Sequence, residues 1–495
     1  MRPAWRVADV RAAEAALMAT VPPGTLMQRA AAGLARRCAL LLADRGGVYG
    51  ARVLLLVGAG DNGGDALYAG ARLAARGAAV AALPMTPQRV HAGGLAALVA
   101  AGGRLVSELP GYADLVLDGI VGIGGSGGLR PPADRMVAAL PLLRGRDGVR
   151  PVVVAVDVPS GVEVDTGALP AGPEQAVRAD VTVTFGCLKP ALVVGAGAAL
   201  AGEVELVDIG LDPWLRAEPA LRVTEWADVA GWWPVPGPDA DKYTRGVVGL
   251  VTGSAAYPGA ALLSAAGALA GPAGLVRYAG SAYAEVVRRH PSVIVTGRVA
   301  DAGRVQAWVC GSGLGTDAAA EEELHAVLAA PVPVVLDADA LTLLAQRDPG
   351  ALLRGRRAPV VLTPHDREYA RLCGAPPGPD RIAAATALAR RCDAVVLLKG
   401  DRTVIATAEG PAYVNVSGTP ALATAGTGDV LAGLLGALLA AGLPPVRAAA
   451  AAAYLHGLAG RRAARHGPVT AVEVAEALRP VLAPLAVEAA TAARK

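Results

Sequence analysis

Short apolar runs that alternate with alanine-rich, helix-spaced stretches constrain this chain more than any other feature. Between residues 51 and 210 the runs are ARVLLLV, AAVAALP, DLVLD, PVVVAVD, DVTVTFG and EVELVDIG. Runs that are apolar throughout, rather than at every second residue, suit strands buried on both faces, and intervening helices bring successive strands into parallel. A second series begins at GVVGLVTG and continues through RVQAWVCG, PVVLDAD, APVVLT, AVVLLKG and TVIATA, followed by the helical GDVLAGLLGALLAAG. The pattern predicts an α/β protein of two domains, residues 1–213 and 241–495. Residues 214–240, where Pro234, Pro236 and Pro238 interrupt the pattern, read as a linker. The two series carry different glycine motifs in a different order, so they do not read as repeats of each other.

Charge and cysteine usage narrow the function. A net charge of +3 over 495 residues, with no block of five or six like charges, lacks the footprint of a nucleic-acid binder and points to small-molecule chemistry. Cys38, Cys187, Cys310, Cys373 and Cys392 are widely spaced and form no C-x-x-C pair, which suits a reducing cytoplasm. The first twenty residues carry charges throughout and do not read as a signal peptide. Residues 246–276 are uncharged and long enough to span a bilayer, but glycine, alanine and two prolines make a buried strand, a glycine loop and a buried helix the better reading. No membrane partner is expected.

In an open parallel sheet, ligands collect where strands end and helices begin. After the first strand stand Asp61, Asn62, Gly63, Gly64 and Asp65, opening a helix whose free amides favour an anion. The spacing is read as neither the G-x-G-x-x-G fingerprint nor a P-loop, and a plain helix cap by Asp61 or Asn62 stays open. Asp118 ends another strand, followed by Gly122, Ile123, Gly124, Gly125, Ser126, Gly127 and Gly128; Asp157 ends a third, followed by Ser160. The oxygens of Asn62, Asp118 and Ser160 suit a hard cation. In the second series His365 and Lys399 follow buried strands, and G-T-G-D places Gly428 and Asp429 where amides face an anion and an acid can act as a base. Lys399 could balance phosphate charge. An ordinary structural histidine at His365 and a simple cap at Asp429 are the bland alternatives.

These motifs, with VTFGCLKPALVVGAG, CGSGLGTD, LDADAL and LTPHDRE, resemble the bifunctional NAD(P)H-hydrate repair enzymes over nearly the whole chain. The resemblance implies a Rossmann-like three-layer α/β/α epimerase domain followed by a ribokinase-like dehydratase domain. Water added to a reduced nicotinamide ring gives two epimeric hydrates. The first domain would interconvert them, and the second would dehydrate the S form with ADP or ATP. The resemblance assigns residues 61–65, 122–128 and Asp157 to the hydrate in the first domain, and Asn62, Asp118 and Ser160 to K+. In the second it assigns Ala260, Gly313, Gly315, His365 and Asp429 to the hydrate, and Lys399, Gly400, Asp401, Arg402, Thr403 and Gly428 to the adenine nucleotide, with Mg2+ accompanying it. Asp157 and Asp429 are the expected catalytic acids, Lys189 a weaker candidate beside the first. A homo-oligomer is expected. Asp61, Ile123, Ser312 and Thr342 depart from the residues usual at their positions, as does TPHDRE from TPHPGE. A ribokinase-like kinase with a non-catalytic nucleotide-binding N-terminal module is the competing reading.

Overall fold

The computed structural model describes residues 1–125 and 127–492; Ser126 lies outside them. It divides into two compact units, Pro3–Ala220 and Leu221–Lys495 together with Met1–Arg2.

The N-terminal unit holds a seven-stranded sheet. From one edge to the other its strands are Arg104–Leu105, Ala79–Pro84, Arg52–Val57, Leu115–Gly119, Val152–Val156, Val181–Phe185 and Glu203–Val207, with every neighbouring pair parallel. In chain order this is 3-2-1-4-5-6-7, so the direction of winding reverses between Arg52–Val57 and Leu115–Gly119. A crevice opens at such a reversal, at the carboxyl ends of the strands. Helices Thr25–Ala43 and Asp61–Ala74 pack on one face with Leu55, Val57, Leu117 and Val156, and Ala133–Ala139 covers the other with Leu54, Leu56 and Val116.

In the C-terminal unit the sheet reverses between Val247–Val251 and Ala307–Cys310. Leu275–Ala279 and Ile294–Thr296 follow on one side, Val334–Leu336, Val360–Leu362 and Val395–Leu398 on the other, all parallel. Thr403–Ala406 and Ala412–Asn415 extend it antiparallel. Leu221–Val223 then pairs with Ala412–Asn415, and Trp226–Trp232 is a helix, so residues expected in the linker belong to this unit's fold. The disagreement has a physical source: a three-residue strand carrying an arginine is too short to stand out by hydrophobic periodicity.

The uncharged stretch at 246–276 is the strand Val247–Val251 and the helix Pro258–Ala270, as read. No helix among the described residues is long and apolar enough to cross a membrane. Helix Thr427–Ala440 is apolar all round and almost entirely buried, as an interior helix must be. It lies backbone to backbone on Pro258–Ala270: a Cβ on Gly433 would overlap the Ser264 carbonyl, and one on Gly267 the Val430 carbonyl. That contact fixes where the amino end of the later helix, with Asp429, meets the strand ends.

Candidate active sites

At the N-terminal crevice Asp157 is held in the left-handed region, φ 68°, although it is not glycine. Such a conformation costs on the order of 1 kcal/mol and persists only where the surroundings impose it. In this conformation its side chain meets Lys189, which is 1% exposed. Its ammonium donates to Asp157 Oδ1 at 2.5 Å, to Thr184 Oγ1 at 2.9 Å and to the Phe185 carbonyl at 2.9 Å. Thr184 Oγ1 and the Phe185 amide also donate to Oδ1, at 3.0 and 3.3 Å. One carboxylate oxygen is saturated by the protein, and the residue lines a cavity of about 1330 Å3. Lys189 is therefore the partner of the proposed acid.

Asp61, Asn62 and Asp65 line that cavity, as do Gly122, Ile123, Gly124, Gly125, Gly127 and Gly128. Gly63 and Gly64 do not: they are buried against protein. A Cβ on Gly63 would overlap the Gly58 carbonyl, and one on Gly64 would crowd Met27 and His91. The glycines between the two aspartates thus let the helix close onto its own strand rather than approach a ligand. Counted from Gly58, the residues Gly58, Ala59, Gly60, Asp61, Asn62 and Gly63 do follow G-x-G-x-x-G, contrary to the expectation, with the third glycine in its packing role. Asp65 keeps Oδ1 buried and without a hydrogen-bond partner. Burial, then the charges of Asp157, Asp61 and Glu14, push its carboxyl well above the usual range. Glu14, on the helix Val7–Met18, also lines the cavity and is raised mainly by burial. No motif marked it.

Below the cavity floor Asp118, 0% exposed, accepts from Ser160 N at 2.9 Å, Ser160 Oγ at 2.7 Å and Ile120 N at 3.3 Å. No basic side chain pairs with it among the described residues, and burial pushes its carboxyl up to about 6. Asn62 is buried with its amide nitrogen unpartnered and its oxygen against Gly122. A buried, uncompensated carboxylate beside a hydroxyl and an amide fits a hard monovalent cation.

In the C-terminal unit the strand ends bring together Ser312, Asp337, Thr363 and Lys399. Asp337, 2% exposed, accepts from Lys399 Nζ at 2.7 Å, Thr363 Oγ1 at 2.8 Å and Ser312 Oγ at 3.2 Å. Ala338 is the second strained non-glycine residue, φ 48°, and Asp339 beyond it accepts from the Gly315 amide at 2.9 Å. Lys399, expected at phosphate, is tied to Asp337 and stands 3.5 Å from Glu368 Oε2. Burial pulls its ammonium down, but these two carboxylates win and hold it above its ordinary value. Asp337 and Glu368 were not singled out by sequence, although LDADAL and LTPHDRE contain them.

Asp429 stands in the first turn of Thr427–Ala440. Burial, then the charge of Asp337, raise its carboxyl to about 7, against the Ser312 hydroxyl and Lys399, which favour the ion. Ser312, which departs from the residue usual there, donates to Asp337 and also bears on Asp429. Gly428 flanks Lys399 and Asp337. Beneath the turn His456 is buried with Nε2 unpartnered, hydrogen-bonded to the Thr427 backbone and pushed down to about 4 by burial. It is a neutral prop for the turn. His365 caps the helix Asp366–Cys373: Nδ1 accepts from the Arg367 and Glu368 amides at 3.0 and 3.2 Å, and Nε2 stands 3.5 Å from Glu368 Oε1. Ala260 lies in the first turn of Pro258–Ala270, against Gly313. Gly400, Asp401, Arg402 and Thr403 turn between two strands; Thr403 Oγ1 donates to the Gly400 carbonyl at 3.0 Å, and Arg402 to the Val416 carbonyl at 2.8 Å.

Both units are thus open α/β folds with an acid at the crevice where the sheet reverses, the first of the dinucleotide-binding type in strand order and fingerprint. Family models agree: NAD(P)H-hydrate dehydratase matches residues 248–480, and YjeF-related protein N-terminus matches residues 23–191. The bifunctional NAD(P)H-hydrate repair enzyme of Mycobacterium tuberculosis is 52% identical over 91% of this chain and 92% of its own, and that of Mycobacterium leprae 50% identical over 92% and 93%. A solved ribokinase-like superfamily protein from Enterococcus faecalis superposes with a TM-score of 0.50 at 28% identity, covering 54% of this chain and 97% of its own. The chain belongs to the family of bifunctional NAD(P)H-hydrate repair enzymes.

Proposed function

We propose that the N-terminal unit interconverts the R and S hydrates of NADH and NADPH, and that the C-terminal unit dehydrates the S form with ADP or ATP. The observation that carries this reading is the setting of Asp429: a half-buried carboxyl in the first turn of a helix, beside Gly428 and near Asp337, raised by that burial to about 7 and so able to take a proton near neutral pH.

In the C-terminal unit the ionised Asp429 takes the hydrate's hydroxyl proton as that oxygen attacks the terminal phosphorus of the nucleotide. AMP leaves from ADP, or ADP from ATP. The phosphate ester then eliminates: the adjacent ring carbon gives up a proton, the ring double bond returns, and phosphate departs. Amides of the 426–429 turn stabilise charge on the transferring group, and the work is mostly positioning and electrostatics. Magnesium accompanying the nucleotide would be held chiefly by its phosphates with one or two carboxylates, for which Asp337 and Asp339, after the strand Val334–Leu336, are the candidates. It would neutralise phosphate charge.

In the N-terminal unit Asp157, with one oxygen fixed by Lys189, moves the proton that epimerisation requires at the hydroxyl-bearing carbon. Asn62, Asp118 and Ser160 would hold K+ under the cavity floor, neutralising the buried carboxylate. The amino end of Asp61–Ala74 receives the pyrophosphate.

The test supplies both hydrate epimers with the purified chain and ADP or ATP. Recovery of reduced-cofactor absorbance, with phosphate released and no phosphorylated hydrate accumulating, supports repair. A stable phosphorylated product would instead support the kinase reading.

A further inference from the structure

The second strand of the N-terminal sheet, Ala79–Pro84, neighbours the first, and the residues after it face the same cavity: Met85, Thr86, Arg89 and His91 all line it. In folds wound in this order the end of that strand meets the adenosine ribose. An acid there bonds the 2′-hydroxyl, whereas an arginine accommodates a 2′-phosphate. This chain has no Asp or Glu from Pro84 until Glu108. It has Arg89, exposed and with its guanidinium making no hydrogen bond or ion pair among the described residues, on the short turn Pro87–Arg89, whose backbone is tied by the Arg89 amide to the Thr86 carbonyl at 3.0 Å. An arginine anchored at its backbone and free at its guanidinium suits a dianionic ligand group.

The spacing across the sheet agrees. Asp157, at the end of the fifth strand, lies three strands from Ala79–Pro84, roughly 14 Å across the sheet, with the amino end of Asp61–Ala74 between them. A dinucleotide with its nicotinamide at Asp157 and its pyrophosphate at that helix end therefore brings its adenosine to Arg89. Arg130, which also lines the cavity, follows the 122–128 loop beyond the fourth strand, on the other side of the reversal.

We propose that Arg89, assisted by Thr86, recognises the adenosine 2′-phosphate, so that the epimerising unit favours NADPH hydrate over NADH hydrate. The proposal rests on the epimerase reading of this cavity.

The experiment follows epimerisation of each hydrate by the full chain without nucleotide, separating the epimers chromatographically. Wild type should show the lower KM for NADPH hydrate. R89A should raise that KM about 10- to 100-fold with kcat little changed, while moving the KM for NADH hydrate less than about twofold. R89K should fall between, and R130A should affect both hydrates alike. Equal treatment of the two hydrates by wild type, or an equal loss on both in R89A, overturns the assignment. Should neither hydrate epimerise, the activity reading fails, and calorimetry still decides on Arg89. 2′,5′-ADP must then bind wild type more tightly than 5′-AMP does and lose that advantage in R89A; equal binding of the two overturns it.

Discussion

Asp157 closes a strand of one sheet and Asp429 opens a helix in the other unit, yet the protein surrounds the two acids in opposite ways. Asp157 is given a dedicated cation, Lys189 at 2.5 Å, and a strained backbone that seats it there. Near Asp429 the half-buried Lys399 ammonium goes to Asp337 at 2.7 Å, leaving Asp429 to feel burial and a neighbouring negative charge. The first arrangement pins one side-chain oxygen to a neighbouring nitrogen; the second holds a proton until about pH 7. A buried pair is costly to break from one side only, while an unpaired buried acid is costly to ionise.

The largest expected effect falls on the unpaired acid. Asp429→Asn removes the base and should lower nucleotide-dependent dehydration by about 10^3-fold or more, while the rate of interconversion of the epimers in the same preparation changes less than about twofold. Loss of both would break the comparison at its root.

Next comes the paired acid. Asp157→Asn leaves the Lys189 ammonium buried without its counter-ion and should destabilise the N-terminal unit by roughly 3–5 kcal/mol, read as the denaturant midpoint of that transition. Adding Lys189→Met should recover most of the loss without restoring epimerisation. If the single variant is as stable as wild type, the ion pair does not hold the site.

A smaller shift tests what sets the Asp429 proton. Its raised value means that the base form grows as pH rises through about 7, so kcat/KM for dehydration should climb along an acid limb there. Burial of the ion also costs stability above that pH and nothing well below the ordinary carboxylate value. The Ser312 hydroxyl favours the ion, so Ser312→Ala should move the limb upward by roughly half a unit. No movement, or a downward one, would remove Ser312 from the account.

The smallest effect concerns Asp118. Potassium chloride should raise the N-terminal melting midpoint by a few degrees over tetramethylammonium chloride, about 1 kcal/mol. The gain should fade below about pH 6, where the buried carboxyl takes up a proton. Equal midpoints in the two salts count against the cation.

Most of the sheet architecture was legible because strands buried on both faces are apolar end to end. Strands not read from sequence were short or charged: Leu275–Ala279 carries Arg277, Leu221–Val223 carries Arg222, Arg104–Leu105 spans two residues, and Ile294–Thr296 and Ala412–Asn415 span three and four. Asp118 stood out as an acid that ends an apolar run, and Asp429 as one that, after G-T-G, opens an apolar helix. Their electrostatic partners were less so. Asp337, Glu368, Thr184 and Glu14 matter through distances set by strand order, and nothing in local spacing records that Lys399 would meet Asp337 rather than stand free. The glycine loop was legible as a loop but not in its purpose, since the approach of Gly63 to the Gly58 carbonyl is a fact of packing.

The account stands on two acid-centred sites that work separately, and one time course tests it. An equal mixture of R and S hydrates is given ADP and the Asp157→Asn, Lys189→Met double variant, and each epimer is followed. The account predicts that the S form is consumed and the reaction then stops with the R form untouched, over the time in which wild type consumes both. Consumption of both epimers by the variant, or of neither, would contradict it.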